Sequence, residues 1–223
     1  MDWLIPYEKD LFFLINGSRT PFLNNAMLLY SGALMWITAA LMGIGAIVYK
    51  NSWRQWLPIV GMLITVFIFC LALSSGFTKP LFTRFRPIYY PEVMDQVRTL
   101  YTHSGGIYGF ISGHTTHAFG IAISSALLFR NKWYTISIIL WAAIMGYSRI
   151  YLGVHFVSDV VAGMVVGSLI GWTAYKLYRY FTKRYPQIAV SYSKSRVQKL
   201  SLAILCSIAL SFVLGGPLTA LLH

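Results

Sequence analysis

The sequence predicts an all-α polytopic membrane protein, a six-helix transmembrane bundle with a short helix ahead of it, on three observations. Of 223 residues, 57% are hydrophobic and only 11% charged, a balance outside that of ordinary soluble domains. Six runs approach the roughly 20 apolar residues that a helix needs to cross the hydrocarbon core. Short links between several of them imply antiparallel neighbours and hence one bundle.

The chain opens with Asp2, Glu8, Lys9 and Asp10 where a signal peptide needs a basic and then an apolar stretch. Residues Tyr7 to Ile15 are amphipathic instead, which reads as a helix lying in the membrane interface or as one covering the bundle. The first run extends from about Asn25 to Tyr49 and the second from about Trp56 to Thr78, with Asn51 to Arg54 as the polar break. A long polar stretch precedes the third, Gly113 to Phe129. Arg130 to Lys132 separates it from the fourth, Trp133 to Tyr151, and Gly153 to His155 leads into the fifth, Phe156 to Tyr175. The last run, Leu200 to Leu222, contains Gly215, Gly216 and Pro217, which a membrane helix tolerates when its neighbours satisfy the freed backbone groups. With no repeat, low-complexity tract or linker, residues 1–223 read as a single domain. Cys70 and Cys206 fall inside apolar runs and read as small buried hydrophobes, not as a disulfide framework.

The formal net charge of +12 suggests nucleic acid, but the basic residues sort by loop and form no single stripe. The densest basic segment holds Lys176, Arg179, Lys183, Arg184, Lys194, Arg196 and Lys199, so the positive-inside rule makes it cytoplasmic. Lys50, Arg54, Arg130 and Lys132 share that side. The opposite side carries Lys9, Arg19, Lys79, Arg84, Arg86, Arg98 and Arg149.

That second group contains the chemistry. Lys79 closes the second run, and Arg86 and Pro87 follow it in the string KPLFTRFRP; Ser112, Gly113 and His114 open the third run; Ser148 and Arg149 end the fourth; His155 and Asp159 begin the fifth. All lie at helix ends on one side of the membrane, so separate segments converge on one pocket. Lys79, Arg86 and Arg149 supply a point charge and two planar forks suited to a phosphate dianion; snorkelling or anchoring at the interface is the plainer role for any one of them. Ser112 stands at a helix N-cap, where Gly113 and its neighbours can turn backbone N–H groups toward an anion. His155 and Asp159, four positions apart, share a helical face, so the carboxylate can fix one imidazole nitrogen and leave the other free to attack phosphorus. No other acidic residue follows Asp95, which excludes a paired-carboxylate mechanism for this half of the chain.

Taken in order, these residues resemble the phosphatidic acid phosphatase type 2 superfamily, marked by K-x6-R-P, P-S-G-H and S-R-x5-H-x3-D. The first and third motifs are complete; in the second, Ile111 stands where the family usually has proline. The resemblance implies a metal-independent, cofactor-free hydrolase of membrane lipid phosphates that works through a phospho-histidine on His155. In that pattern His114 protonates the leaving oxygen. The general layout is similar to bacterial lipid A phosphatases and undecaprenyl diphosphate phosphatases, which places those substrates ahead of phosphatidic acid and phosphatidylglycerol phosphate. The expected location is a bacterial inner membrane with the site facing the periplasm, the lipid bilayer and its lipid phosphate being the partners. Two other readings remain open at this point: a lipid-to-lipid phosphotransferase sharing the intermediate, and a non-catalytic lipid-phosphate binder or transporter. A metal held by His114, His117, His155 and Asp159 is disfavoured because the three cations would repel it. His117 reads as a hydrogen-bonded core histidine, His103 as a loop residue at the pocket mouth, and Arg84 and Arg98, outside every motif, as loop cations. On that reading Arg84→Ala costs far less activity than Arg86→Ala.

Overall fold

A computed structural model describes residues 2–100 and 106–215, and these form an all-helical bundle. His103 and the end of the sixth predicted run, with Gly216 and Pro217, lie outside the described residues. The α-helices are α1 (Ile5–Gly17), α2 (Pro21–Ser31), α3 (Ala33–Val48), α4 (Trp53–Leu71), α5 (Thr78–Phe82), α6 (Gly113–Phe129), α7 (Lys132–Tyr151), α8 (Val157–Arg184) and α9 (Lys194–Gly215). Local chemistry explains where several begin. Thr20 caps α2 by accepting from the Leu23 N–H at 3.2 Å, with Pro21 in the first turn. Ser52 and Gln55 form a capping box that starts α4 at Trp53 rather than at Trp56. Asn131 Oδ1 accepts from the N–H groups of Trp133 and Tyr134 at 3.0 and 3.2 Å, which starts α7.

Three differences from the sequence expectation matter. The first predicted run is broken at Gly32, whose extended backbone (φ −78°, ψ 166°) separates α2 from α3. Helix α4 continues through a π-helical turn, Ala72–Phe77, into α5, so the second run reaches Phe82 and carries Lys79. Helix α8 continues to Arg184, its basic last turn favoured by the helix dipole. By length and apolar composition three described helices can cross a membrane: Trp53–Phe82, Val157–Arg184 and Lys194–Gly215. Large apolar side chains such as Leu41, Ile64, Phe69, Val165, Leu169, Leu202 and Val213 stand exposed on the outside, as a bilayer requires.

The most intimate helix pair is α6 and α8. A Cβ added at Gly163 would stand 2.9 Å from the Ser112 carbonyl oxygen, at Gly167 2.2 Å from that of Thr116, and at Gly171 2.3 Å from that of Gly120. This small-residue stripe at i, i+4, i+8 lets two backbones touch, the packing by which membrane helices associate in the absence of a hydrophobic drive. Helix α9 closes the other side. Gly215 packs on the backbone of Ala26 in α2, and the Ser137 and Ser201 hydroxyls of α7 and α9 meet at 2.7 Å.

Helix α1 turns Ile5, Glu8, Phe12 and Asn16 inward and leaves Tyr7, Leu11 and Leu14 exposed, as is Trp3 in the turn ahead of it. Its end is pinned by Asn16, whose Nδ2 donates to the carbonyls of Arg98 and Tyr151 at 2.8 and 2.9 Å and whose Oδ1 accepts from the Arg98 N–H at 2.9 Å. The helix therefore covers the bundle while presenting an apolar outer face. Cys70 is buried as expected, but Cys206 is exposed on the outside of α9.

Candidate active site

At one end of the bundle the N-termini of α6 and α8, the C-terminus of α7 and the α5 turn come together. Backbone contacts fix the junction: the Ser112 N–H donates to the Asp159 carbonyl at 3.0 Å, and the Val154 N–H to that of Arg149 at 3.1 Å. Thr83 closes α5 in a left-handed conformation (φ 45°), and the chain then runs extended. Residues 84–86 pair with 107–109: Arg86 N–H donates to the Ile107 carbonyl at 3.0 Å, Gly109 N–H to that of Arg84 at 2.8 Å, and Phe85 bridges Tyr108. In an extended segment side chains alternate. Arg84 and Arg86 consequently both point inward and are buried, while Phe85 faces out.

His155, 2% exposed, lies in the link ahead of α8 and feels the charges of Arg86, Arg149 and Lys79. Its Nδ1 stands 3.4 Å from Asp159 Oδ2, a long contact, and the same oxygen accepts from the Phe156 N–H at 3.0 Å. His114, half-buried, lies within the fields of Arg149, His155, His117 and Arg86. Arg149 donates to the Ser31 hydroxyl at the end of α2, next to the break at Gly32. Lys79 Nζ, in α5, donates at 3.3 Å to Ser75 Oγ in the π-helical turn, a feature that recurs at functional sites. Gly109 is required by space: a Cβ there would stand 3.1 Å from Asp159 Oδ2 and 3.2 Å from Arg86 Cγ. The fold thus assembles all eight candidate residues, Lys79, Arg86, Ser112, Gly113, His114, Arg149, His155 and Asp159, from four segments around one point.

Other placements bear on the sequence expectation in both directions. Ser112 occupies the N-cap position of α6, but its hydroxyl bonds Thr115 Oγ1 at 2.9 Å and caps no backbone N–H. Ile111, in the place of the usual proline, uses its N–H on Thr78 Oγ1 at 3.3 Å, a bond proline cannot make. His117 is a core histidine bonded through Nδ1 to the Gly113 carbonyl at 2.7 Å and packed on Phe67. Among the described residues no three His, Cys, Asp or Glu side chains form a metal-binding group.

The largest correction is Arg84. It is no loop cation: its side chain has no exposure, its Nη1 donates to Asp159 Oδ1 at 2.8 Å and to Ser158 Oγ at 2.6 Å, and its Nη2 pairs with Glu8. Sequence reasoning missed Arg84, Glu8 and Ser31. The signal for the first was the alternation R-F-R, which in extended backbone puts both arginines on one face.

Electrostatics suit a dianion. Burial first, then Arg149, pulls the Arg86 guanidinium below its ordinary value, and an anion bound between the two arginines would offset their repulsion. Burial, then Arg86, Arg149 and Lys79, holds the His155 imidazole well below the usual histidine range. The neutral ring is thereby favoured near neutral pH, and an activity that required it neutral would be lost on acidification. The acid limb of kcat/KM, corrected for substrate ionisation, should therefore fall well under about 6.5, the ordinary histidine value. A limb at 6.5 or above would mean that Asp159 outweighs burial and the three cations. Arg86→Ala or Arg149→Ala should each lower kcat about a hundredfold or more, the scale for one preorganised stabiliser of transition-state charge, measured as phosphate release.

Such a bundle, with cations and a histidine–carboxylate pair at its rim, defines a class of membrane enzyme acting on phosphate esters. Residues 55–183 match the PAP2 superfamily, and the chain belongs to it. Over 185 residues it is 40% identical to a lipid A 4′-phosphatase of Porphyromonas gingivalis, covering 83% of this chain and 78% of the relative. A second lipid A 4′-phosphatase, from Bacteroides thetaiotaomicron, is 31% identical over 186 residues, 82% of each chain. The fold is similar to the crystal structure of a transmembrane PAP2-type phosphatidylglycerolphosphate phosphatase from Bacillus subtilis, with a TM-score of 0.61 at 22% identity over 83% of this chain and 89% of that one.

Proposed function

We propose that the chain removes the 4′-phosphate of lipid A by way of a phospho-histidine. The observation that carries the chemistry is the convergence of Lys79, Arg86 and Arg149 on the buried His155. The substrate is supported by the similarity to lipid A 4′-phosphatases along most of the chain.

In this reading the three cations hold the phosphate with its sugar oxygen toward His114. The free nitrogen of His155 attacks phosphorus, the P–O bond to the sugar breaks, and His114 delivers a proton to the departing alkoxide. Asp159 keeps the other imidazole nitrogen oriented, Ser112 and Gly113 line the anion site at the start of α6, and water then cleaves the phospho-histidine to release phosphate. The bundle spans the bacterial inner membrane six times, counting α2 and α3 as one crossing, with the site on the periplasmic side and the basic end of α8 in the cytoplasm. Helix α1 lies in the interface, where its exposed Tyr7, Leu11 and Leu14, with Trp3 just ahead of it, meet lipid.

The test is a panel of lipid A, undecaprenyl diphosphate, phosphatidic acid and phosphatidylglycerol phosphate, assayed for released phosphate in excess chelator. Lipid A should be turned over fastest, with loss at the 4′ position. Faster release from another lipid would overturn the substrate, and transfer of label between lipids without free phosphate would identify a phosphotransferase. His114→Gln should slow the monophosphate far more than the diphosphate, whose leaving group needs less help from an acid. Equal slowing of both would remove His114 from the acid role.

A further inference from the structure

We propose that Glu8 and Arg84 are positioning residues for this chemistry: Arg84 holds Asp159, Glu8 holds Arg84, and helix α1 is thereby a working part of the active site. The inference rests on His155 as nucleophile and goes beyond it.

Asp159 divides its oxygens. Oδ1 accepts from Arg84 Nη1 at 2.8 Å, while Oδ2 accepts from the Phe156 N–H at 3.0 Å and faces His155 Nδ1 at 3.4 Å. With Oδ1 tied down, the carboxylate cannot rotate, and Oδ2 stays toward the imidazole. Arg84 is fixed in turn. Its guanidinium lies over the Phe156 ring at 4.8 Å from the centroid and donates to Ser158 Oγ at 2.6 Å, and Nη2 pairs with Glu8. Glu8 reaches across from α1 and accepts from the Ser158 N–H at 2.7 Å and from Ser158 Oγ at 2.9 Å. A chain of contacts therefore runs Glu8, Arg84, Asp159, His155, with Ser158 bracing its middle.

Charge explains why Glu8 belongs to it. An arginine paired with Asp159 alone would neutralise the carboxylate that His155 needs. A second carboxylate shares the guanidinium, so the group of Glu8, Arg84 and Asp159 keeps one net negative charge beside a ring that becomes cationic on phosphorylation. Arg86 and Lys79 also act on Asp159 or are acted on by it, but they face the phosphate. The Arg84 hydrogen bonds go to carboxylates and a hydroxyl, with the guanidinium face on Phe156.

The experiment compares Glu8→Gln, Arg84→Gln, Ser158→Ala and the Glu8→Gln/Arg84→Gln double variant in detergent. Measured are kcat and KM on the best lipid of the panel, inhibition by orthovanadate as a phosphate-like anion, and thermal unfolding. Outer-shell partners that orient a reacting group typically cost 10- to 100-fold, so kcat should fall roughly tenfold for Glu8→Gln and nearer a hundredfold for Arg84→Gln. KM and vanadate inhibition should stay within about twofold, because Lys79, Arg86 and Arg149 are untouched. The double variant should cost no more than Arg84→Gln alone, as members of one chain of contacts are not additive. Lower thermal stability with unchanged kcat in the folded protein would reduce the pair to an anchor for α1 and overturn the proposal. Parallel losses of kcat and vanadate affinity would do the same, by placing Arg84 among the phosphate cations. Should Arg84→Gln fail to fold, Glu8→Gln and Ser158→Ala decide by the same readouts. Retained activity in His155→Ala would instead show that the nucleophile is misassigned, whatever these variants do.

Discussion

His155→Ala is expected to abolish turnover while the protein still folds in detergent. The ring is the only proposed nucleophile, and every other site residue serves it or the phosphate, so no partial rate should survive. The bundle does not depend on it. His155 lies in the link before α8, and its described polar partners are Asp159 and the backbone of Gly109, whereas α6 and α8 are held by backbone packing further along. Rapid quench of the wild-type enzyme with phosphorus-labelled lipid should trap an acid-labile phosphoryl group on the protein, and the variant should trap none. Substantial activity in purified His155→Ala, judged by phosphate release, would end the nucleophile assignment.

Gly167→Leu is expected to leave little folded protein. A Cβ at this position would stand 2.2 Å from the Thr116 carbonyl oxygen and 3.0 Å from its carbon, far inside van der Waals contact, and the obstacle is helix backbone that cannot rotate away. The α6 and α8 axes would have to separate along the stripe that ends at Ser112, so any protein that did fold would carry His114 displaced from His155. Overpacking of ordinary cores costs about 1–3 kcal/mol, and a clash between two helix backbones should exceed that. The measurement is monodispersity and unfolding temperature in detergent, with Gly61→Leu as control, since nothing lies within 4 Å of a Cβ there. Equal behaviour of the two variants would mean that α6 and α8 do not meet as described.

Helix starts illustrate how far local rules reach. The Ser52–Gln55 capping box and the Asn131 cap are readable in the sequence and account for α4 and α7 beginning ahead of their apolar runs. The break at Gly32 was not readable, because a glycine within an apolar run is compatible with an unbroken membrane helix. At the break Ser31, the last residue of α2, accepts from Arg149, a contact that no local pattern announces. The glycines of α8 show their period of four openly, yet nothing in the order of residues says which helix they face.

By itself the sequence pointed to the membrane class and to eight candidate residues, which the fold gathers at one end of the bundle. Composition sets the solvent a helix can face, but the shared helical face expected of His155 and Asp159 does not form: His155 precedes α8, and the turn into that helix is what brings its ring to Asp159. Only the tertiary structure decided which of two neighbouring arginines pairs with carboxylates. Arg84 and Arg86 differ by two positions and are chemically alike, but one lies against Glu8, 76 residues away, and Asp159, 75 away. Pairings at that separation depend on how α1, the extended strand at Arg84 and the start of α8 are stacked, and no local pattern encodes that.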